Sequence, residues 1–363
     1  MTDFNISKKA VEHADSCRFC WMCHHVCPVG NATGLERNTA RARALAVSMV
    51  ARGGVELTDD VVNNIYECTL CGGCTNVCVT GWDPILFTKE TRNFAAMNGK
   101  LPSYIDKMLD NFEKTGNIYG ATAMCDTLSG KIAAHSDKTD TLFYLGTDAR
   151  CKCCKSAAKA IDVLDNSGLK FTVLSDEPDS GFDFDFIIGK AAETTDVMKK
   201  CADELNKFDT VVVYDPADAK IMSREYKEYG IELNCKVVTF TAMLARLVND
   251  GKLTPKNTGK KLAYQDPALL ARELGEVDEA REVISKAGEL CDMLNCKKDT
   301  MFAGNLLMSE YMPDVMDEMA RRRFVDVRNA GANAVVTASC SENAVMSRVC
   351  PDDIEVIAIE ELF

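Results

Sequence analysis

The chain has 363 residues, 47% of them apolar and 27% charged, with a formal charge of −13, the make-up of a globular protein of more than one domain rather than a disordered or fibrous one. Its apolar runs, such as 186–189 and 210–214, fall far short of a bilayer span, and residues 1–11 lack an apolar signal core, so no transmembrane segment and a cytoplasmic location are expected. Residues 1–125 are nearly neutral, and the remainder carries a net charge of −12, which argues against a nucleic-acid partner, since phosphates are neutralised by Lys and Arg.

In chain order, residues up to about 124 contain no strand-like run, and their apolar residues recur at helical spacing. Residues 36–52 predict an amphipathic helix, with Leu35, Leu45, Met49 and Val50 opposed to Arg37, Arg41, Arg43 and Arg52, ended by Gly53-Gly54. Thr58 is the expected N-cap of a second helix, with Asp59 and Asp60 at its positive end. A third helix is expected over 103–115.

After Ser136 the texture changes. Short β-branched or aromatic runs at 142–145, 171–174, 184–188, 211–214, 237–240, 262–264, 335–338 and 354–359 predict strands. Helical stretches at 156–165, 193–207, 243–249, 279–287 and 309–328 separate them. This alternation predicts parallel α/β layers. The polar stretch 249–261 divides the region into two parts that read as an internal repeat. The expected class is α + α/β. It comprises a helical domain over 1–125 and two α/β halves over 136–250 and 258–363.

Eighteen cysteines and only four histidines are the abnormal part of the composition. In a long chain without an export signal, clustered thiols serve metals or redox chemistry rather than disulfides. Cys17, Cys20, Cys23 and Cys27 are followed by Pro28; Cys68, Cys71, Cys74 and Cys78 are followed by Val79. Both quartets read C-x2-C-x2-C-x3-C, the spacing of two-cluster ferredoxins, in which the fourth cysteine serves the other cluster. The expected cofactors are therefore two 4Fe–4S clusters, one on Cys17, Cys20, Cys23 and Cys78, the other on Cys68, Cys71, Cys74 and Cys27. Structural zinc uses two separated pairs of ligands. Trp21, Met22, His24 and His25 lie among the first ligands.

The helix with Arg41 and Arg43, leading into Ile65-Tyr66-Glu67-Cys68-Thr69-Leu70-Cys71-Gly72-Gly73-Cys74, resembles the iron–sulfur subunits of anaerobic glycerol-3-phosphate dehydrogenase, glycolate oxidase and lactate-utilisation complexes. In that family a helical ferredoxin precedes two cysteine-rich CCG domains, also found in heterodisulfide reductase. The resemblance implies an electron-transfer subunit whose partner is a flavoprotein dehydrogenase or an electron-transferring flavoprotein, with flavin only in that partner. The CCG motifs are degenerate. Thr147 follows Gly146; Asp179-Ser180-Gly181 and Phe302-Ala303-Gly304 stand for Cys-Cys-Gly; Ala268 follows Asp266-Pro267; and Cys340 alone survives of the second set.

Ten cysteines lie outside the quartets. Cys151, Cys153 and Cys154 form a dense group which, with Cys340, offers a third metal site; Cys291 and Cys296 could approach them. The alternative is scattered structural thiols, with Cys125, Cys201, Cys235 and Cys350 as lone buried ones. Arg321-Arg322-Arg323 reads as a solvated helix face. No dinucleotide, Walker or Ser/His/Asp motif appears, so no catalytic residue is assigned. Two rival readings remain: a heterodisulfide-reductase-like thiol–disulfide enzyme, and a redox-sensing iron–sulfur protein.

Overall fold

The computed structural model describes residues 4–363, so the first three residues of the expected helical domain lie outside the described residues. The class is α + α/β, as expected. Among the described residues, helices alone make up the chain as far as Ala134, and seven strands follow. Ser7 caps the helix Lys8–Asp15, Thr58 caps Asp59–Tyr66, and Ser103–Thr115 forms as predicted.

The predicted 36–52 helix is a 3₁₀ turn, Glu36–Asn38, followed by the helix Ala40–Ala51 on its Thr39 cap. Its buried face is Ala40, Arg43, Ala44, Val47 and Val50, whereas Leu35, Leu45 and Met49 are exposed. Ala40 and Ala44, four apart, and Ala10 and Ala14 opposite them let the helix Lys8–Asp15 approach closely, and that contact outweighs the larger apolar side chains.

The strands form two parallel sheets. β1 (Thr141–Tyr144), β2 (Thr210–Val213) and β3 (Lys236–Thr239) lie in the order β1-β2-β3. β4 (Lys261–Gln265), β5 (Glu289–Cys291), β6 (Ala334–Thr337) and β7 (Glu355–Ala358) lie in the order β5-β4-β6-β7. The run 171–174 is no strand but a single parallel bridge, Thr172 to Leu142, on the outer edge of β1. Val173 N–H turns away to the His135 carbonyl at 2.9 Å. That bridge stands where β5 stands beside β4, so the halves share one strand order and the internal repeat is visible in the topology.

Three further expectations are corrected. Residues 184–188 are not a strand but part of the helix Phe182–Ile188, begun by Gly181 at φ +85°. Their apolar/acidic alternation mimics a strand, yet the element is buried all round: Asp183 and Asp185 occupy its first turn, and Asp185 pairs with Lys89 at 2.5 Å. The 309–328 helix is broken into Leu306–Ser309 and Pro313–Asn329, because Pro313 cannot continue a helix and starts a new one. Within it Arg321 and Arg322 are exposed beside Glu318, but Arg323 is buried, its Nε donating to Gln265 Oε1 at 2.7 Å.

The helical region shares a core with both halves. Tyr66, Phe94 and Ile105 cluster with Phe186 and Ile187, and with Met308, Met316 and Phe324. Buried Arg92 donates to the carbonyls of Phe186 (2.6 Å), Ile65 (3.1 Å) and Cys68 (2.7 Å). Tyr66 Oη donates to the Ile187 carbonyl at 2.8 Å, and Tyr104 stacks on Tyr311.

Candidate metal centres

The two quartets adopt one backbone design. Phe19 and Trp21 in the first, and Leu70 and Gly72 in the second, take left-handed conformations on either side of the second cysteine. Short helices follow, Met22–Val26 and Gly73–Val77, and the fourth cysteines end them in nearly equal conformations, φ/ψ −77°/110° at Cys27 and −77°/114° at Cys78. Three non-glycine residues with positive φ each cost about 1 kcal/mol, and such strain persists where the loop has a task. Pro28 opens the helix Pro28–Thr33, whereas Val79 is exposed.

These loops wall two cavities. Cys17, Cys20, Cys23 and Cys78 line one, with Trp21, Trp82 and Arg41. Cys27, Cys68, Cys71 and Cys74 line the other, with Arg43 and Pro84. Each cavity thus holds three cysteines of one quartet and the fourth of its partner. Among the described residues no three His, Cys, Asp or Glu side chains converge on a single-ion point; the thiols face each other across a space instead.

Residues 13–82 match the 4Fe-4S dicluster domain family.

The relatives of the chain are iron–sulfur oxidoreductases. It is 24% identical over 251 residues to the "Probable iron-sulfur-binding oxidoreductase FadF" of Bacillus subtilis, covering 63% of this chain and 35% of that protein. It is 24% identical over 326 residues to the "EtfAB:quinone oxidoreductase" of Syntrophomonas wolfei, covering 76% and 45%. It is also 24% identical over 391 residues to a component of the "Dihydromethanophenazine:CoB--CoM heterodisulfide reductase" of Methanosarcina acetivorans, covering 95% and 91%. The chain therefore spans less than half the length of the first two. Among its described residues no helix is long and apolar enough to cross a membrane.

The dicluster domain fits its iron–sulfur cofactor on electrostatic grounds. Burial and the neighbouring Cys17 push the Cys23 thiol up to about 11, and burial pushes Cys74 well above the usual thiol range. Four thiolates so close in a poorly solvated cage repel one another unless a cationic iron core lies between them. Arg43, only 2% exposed, lines the second cavity; its Nε donates to the Asn64 carbonyl at 2.9 Å, while Nη2 has no partner among the described residues. A buried cation left partly unpaired beside four cysteines suits an anionic cluster. In the first cavity Cys20 is exposed, and Arg41 lies 3.6 Å over the Trp21 ring. Burial raises Cys78, but the Thr80 hydroxyl and the Thr80 and Trp82 backbone N–H groups outweigh it and hold the thiol below its usual value. His24 pairs with Glu36 at 3.2 Å, and neither it nor His25 lines a cysteine cavity.

A third and larger cavity, about 490 Å³, lies between the helical region and both halves. Leu70 and Cys71 form one wall, and Arg272 of the second half donates to the Cys71 carbonyl at 2.7 Å. The rest comes from the C-terminal ends of the strands, the usual crevice of parallel α/β sheets. After β1 come Thr147 and Asp148, after β2 Asp215 and Asp218, and after β6 Ser339 and Ser341; Asp179, Ser180 and Asp183 come from the loop and helix before Ile188. Burial, then mutual repulsion, raises Asp183 and Asp218 far above the carboxylate range, and burial raises Asp215 to about 7 and Glu342 to about 8. The sequence reading missed this acidic set; the signal was an acid close behind successive strands.

The outlying cysteines are divided. Cys154 is joined to Cys125 in a disulfide, so Cys125 is not a lone thiol. Cys153 Sγ lies 3.4 Å from the Cys340 carbonyl, and the Cys340 thiol lies 3.5 Å from Asp215 Oδ2. Cys151 is half-buried, held up to about 11 by burial and Asp148. Of the expected lone buried thiols Cys201 is buried, and Cys235 and Cys350 are half-buried. Cys296 faces Asp292 and Arg281 rather than the Cys151 group.

Proposed function

We propose that the chain is an electron-transfer subunit of an oxidoreductase complex, carrying two 4Fe–4S clusters. One is held by Cys17, Cys20, Cys23 and Cys78, the other by Cys68, Cys71, Cys74 and Cys27. The observation that carries the reading is the exchange of fourth cysteines between the two cavities. When bound, such clusters take up and release single electrons without a change of ligands. The chain's own residues hold the thiolates in place, exclude water from the second cavity through Pro84 and Ile85, and supply Arg43 as a counter-charge. A flavoprotein dehydrogenase or electron-transferring flavoprotein is the partner this reading requires, because paired electrons from a substrate must be split into single ones. The flavin lies in that partner.

The two α/β halves are read as degenerate CCG domains. Thr147, Asp179, Ser180, Ala268 and Phe302, five of the positions where that motif carries cysteine, line the one central cavity, which supports the correspondence, although Ala303 and Cys340 lie outside its lining. With oxygen or apolar side chains in those places, the soft ligands a further cluster would need are missing.

Anaerobic purification with iron and sulfide analysis, EPR on reduction and identification of co-purified subunits tests this. Iron for two clusters and a flavoprotein are expected; zinc in the quartets overturns it. The match to the heterodisulfide reductase component over most of both chains, with Cys153 beside Cys340, favours a second reading as a thiol–disulfide enzyme. Disulfide reduction by the isolated chain, with iron beyond two clusters, would establish that reading instead.

A further inference from the structure

The central cavity concentrates acid without matching base. Asp148, Asp179, Asp183, Asp215 and Asp218 line it, and none of the five has an ion-pair partner among the described residues. The basic groups nearby are committed elsewhere: Lys89 to Asp185, Lys220 to Glu225, Arg224 to Glu273, and Arg272 to backbone carbonyls. Lys9 is at the exposed rim. Neutral donors satisfy part of the set. Thr147 Oγ1 donates to Asp179 Oδ2 at 2.8 Å, Ser180 Oγ to Asp218 Oδ1 at 2.5 Å, and the Ala217 N–H to Asp215 Oδ1 at 2.8 Å; the Tyr119 hydroxyl donates to Asp148.

Asp183 stands apart. It is 6% exposed, it lines the cavity, and its Oδ2 has no hydrogen-bond partner among the described residues. A buried carboxylate oxygen without a donor is costly. Its place in the first turn of the helix Phe182–Ile188 helps it, but a helix terminus offsets less than burying an unpaired charge takes away.

We propose that this cavity binds a divalent cation of the hard-oxygen class, of the Mg²⁺ type, with Asp183 and Asp218 as its principal carboxylate contacts. The ion keeps part of its water shell. Among the described residues no three acidic side chains converge on one point, and Mg²⁺ is commonly held by one or two carboxylates and several waters. A cavity of about 490 Å³ has room for the hydrated ion. Its lining offers carboxylates and the hydroxyls of Thr147, Ser180, Ser339 and Ser341, which favours Mg²⁺ or Mn²⁺ over the softer metals. Since Cys71 forms one wall, the bound cation adds positive charge on the side of the second cysteine cavity.

The test uses the anaerobically purified holoprotein and Mn²⁺ as the spectroscopic stand-in, with free Mn²⁺ followed by EPR. One saturable Mn²⁺ per chain, displaced by Mg²⁺, is expected. In the double variant Asp183→Asn, Asp218→Asn the affinity is expected to fall at least about 10-fold, with iron content and cluster EPR unchanged. Should that variant fail to fold, Ser180→Ala, which removes the hydroxyl that orients Asp218 without removing a carboxylate, is expected to weaken binding about 10-fold. Absence of saturable binding, equal binding by the variants, or an Asn variant that is merely more heat-stable while metal has no effect on either protein would overturn the proposal; the last result means that the acids carry protons. Iron content reports separately on the quartets, so failure of one reading is distinguishable from failure of the other.

Discussion

Arg43 shows how a residue acquires a role from its surroundings. On the sequence it belongs with Arg37, Arg41 and Arg52 on a solvated stripe, yet it is buried and lines the cavity of Cys27, Cys68, Cys71 and Cys74. It also opposes the burial that raises the Cys27 thiol. Arg43→Gln removes a positive charge that favours the reduced, more anionic state. In an EPR-monitored redox titration the second cluster's midpoint is expected to fall by roughly 60 mV, the one-electron equivalent of about 1.4 kcal/mol. An unchanged midpoint would show that the charge is screened. Glu360 offers a pH handle away from the clusters. It is 2% exposed, accepts from the Tyr214 hydroxyl at 2.7 Å, and burial raises it to about 7. The protonated form suits the folded state, so its contribution is fully present below the unfolded value near 4.5 and is lost as pH rises through about 7. Glu360→Gln is expected to remove up to about 3 kcal/mol of this pH dependence, read from urea unfolding at pH 5 and pH 8.

Among the elements, the helix Phe182–Ile188 does the joining. Its backbone carbonyls accept from Arg92, Tyr66 and Asn93 of the helical region, while Asp183 faces the central cavity. Gly189, just beyond it, lies so close to the helix Pro84–Met97 that a Cβ would meet the Lys89 carbonyl at 2.9 Å. Phe186 is 2% exposed, packed 4.5 Å under the Arg92 guanidinium. Phe186→Ala is expected to cost about 3–5 kcal/mol, measured by chemical denaturation of the holoprotein. If the element were the strand its alternation suggests, Asp183 and Asp185 would share one face and the cost would not include loss of the Arg92 contact. By contrast the cap at Thr58 and the helix Ser103–Thr115 were legible from local spacing.

For the whole molecule, the consequence is that the second half reaches the cysteines. Arg272 donates to the carbonyl of Cys71 and to that of Lys298, so it clamps the second cysteine loop to the residues after β4. Arg272→Ala leaves every cysteine in place. It is nonetheless expected to make half of the iron several-fold more labile to chelators, with the other half unaffected because the first cavity lies outside this contact. Uniform iron release would show instead a global loss of stability. The helical region is therefore not an independent module in energetic terms, even though the quartets lie wholly within it.

The cysteine quartets, the α + α/β order and most strand positions were written in the sequence, because ligand spacing and hydrophobic period are local properties that survive in any surroundings. Other features depended on what distant elements bring. The alternation at 184–188 became a helix because its acids found Lys89 and a cavity. The run 171–174 shrank to one bridge because its next N–H found His135. Arg43, Arg92, Arg323 and the cavity residues Asp183, Asp215 and Asp218 look like surface charges on paper. Only the tertiary structure decided that they are buried, because the burial of a charge depends on the carbonyls, thiols and donors that the fold delivers to it from far along the chain.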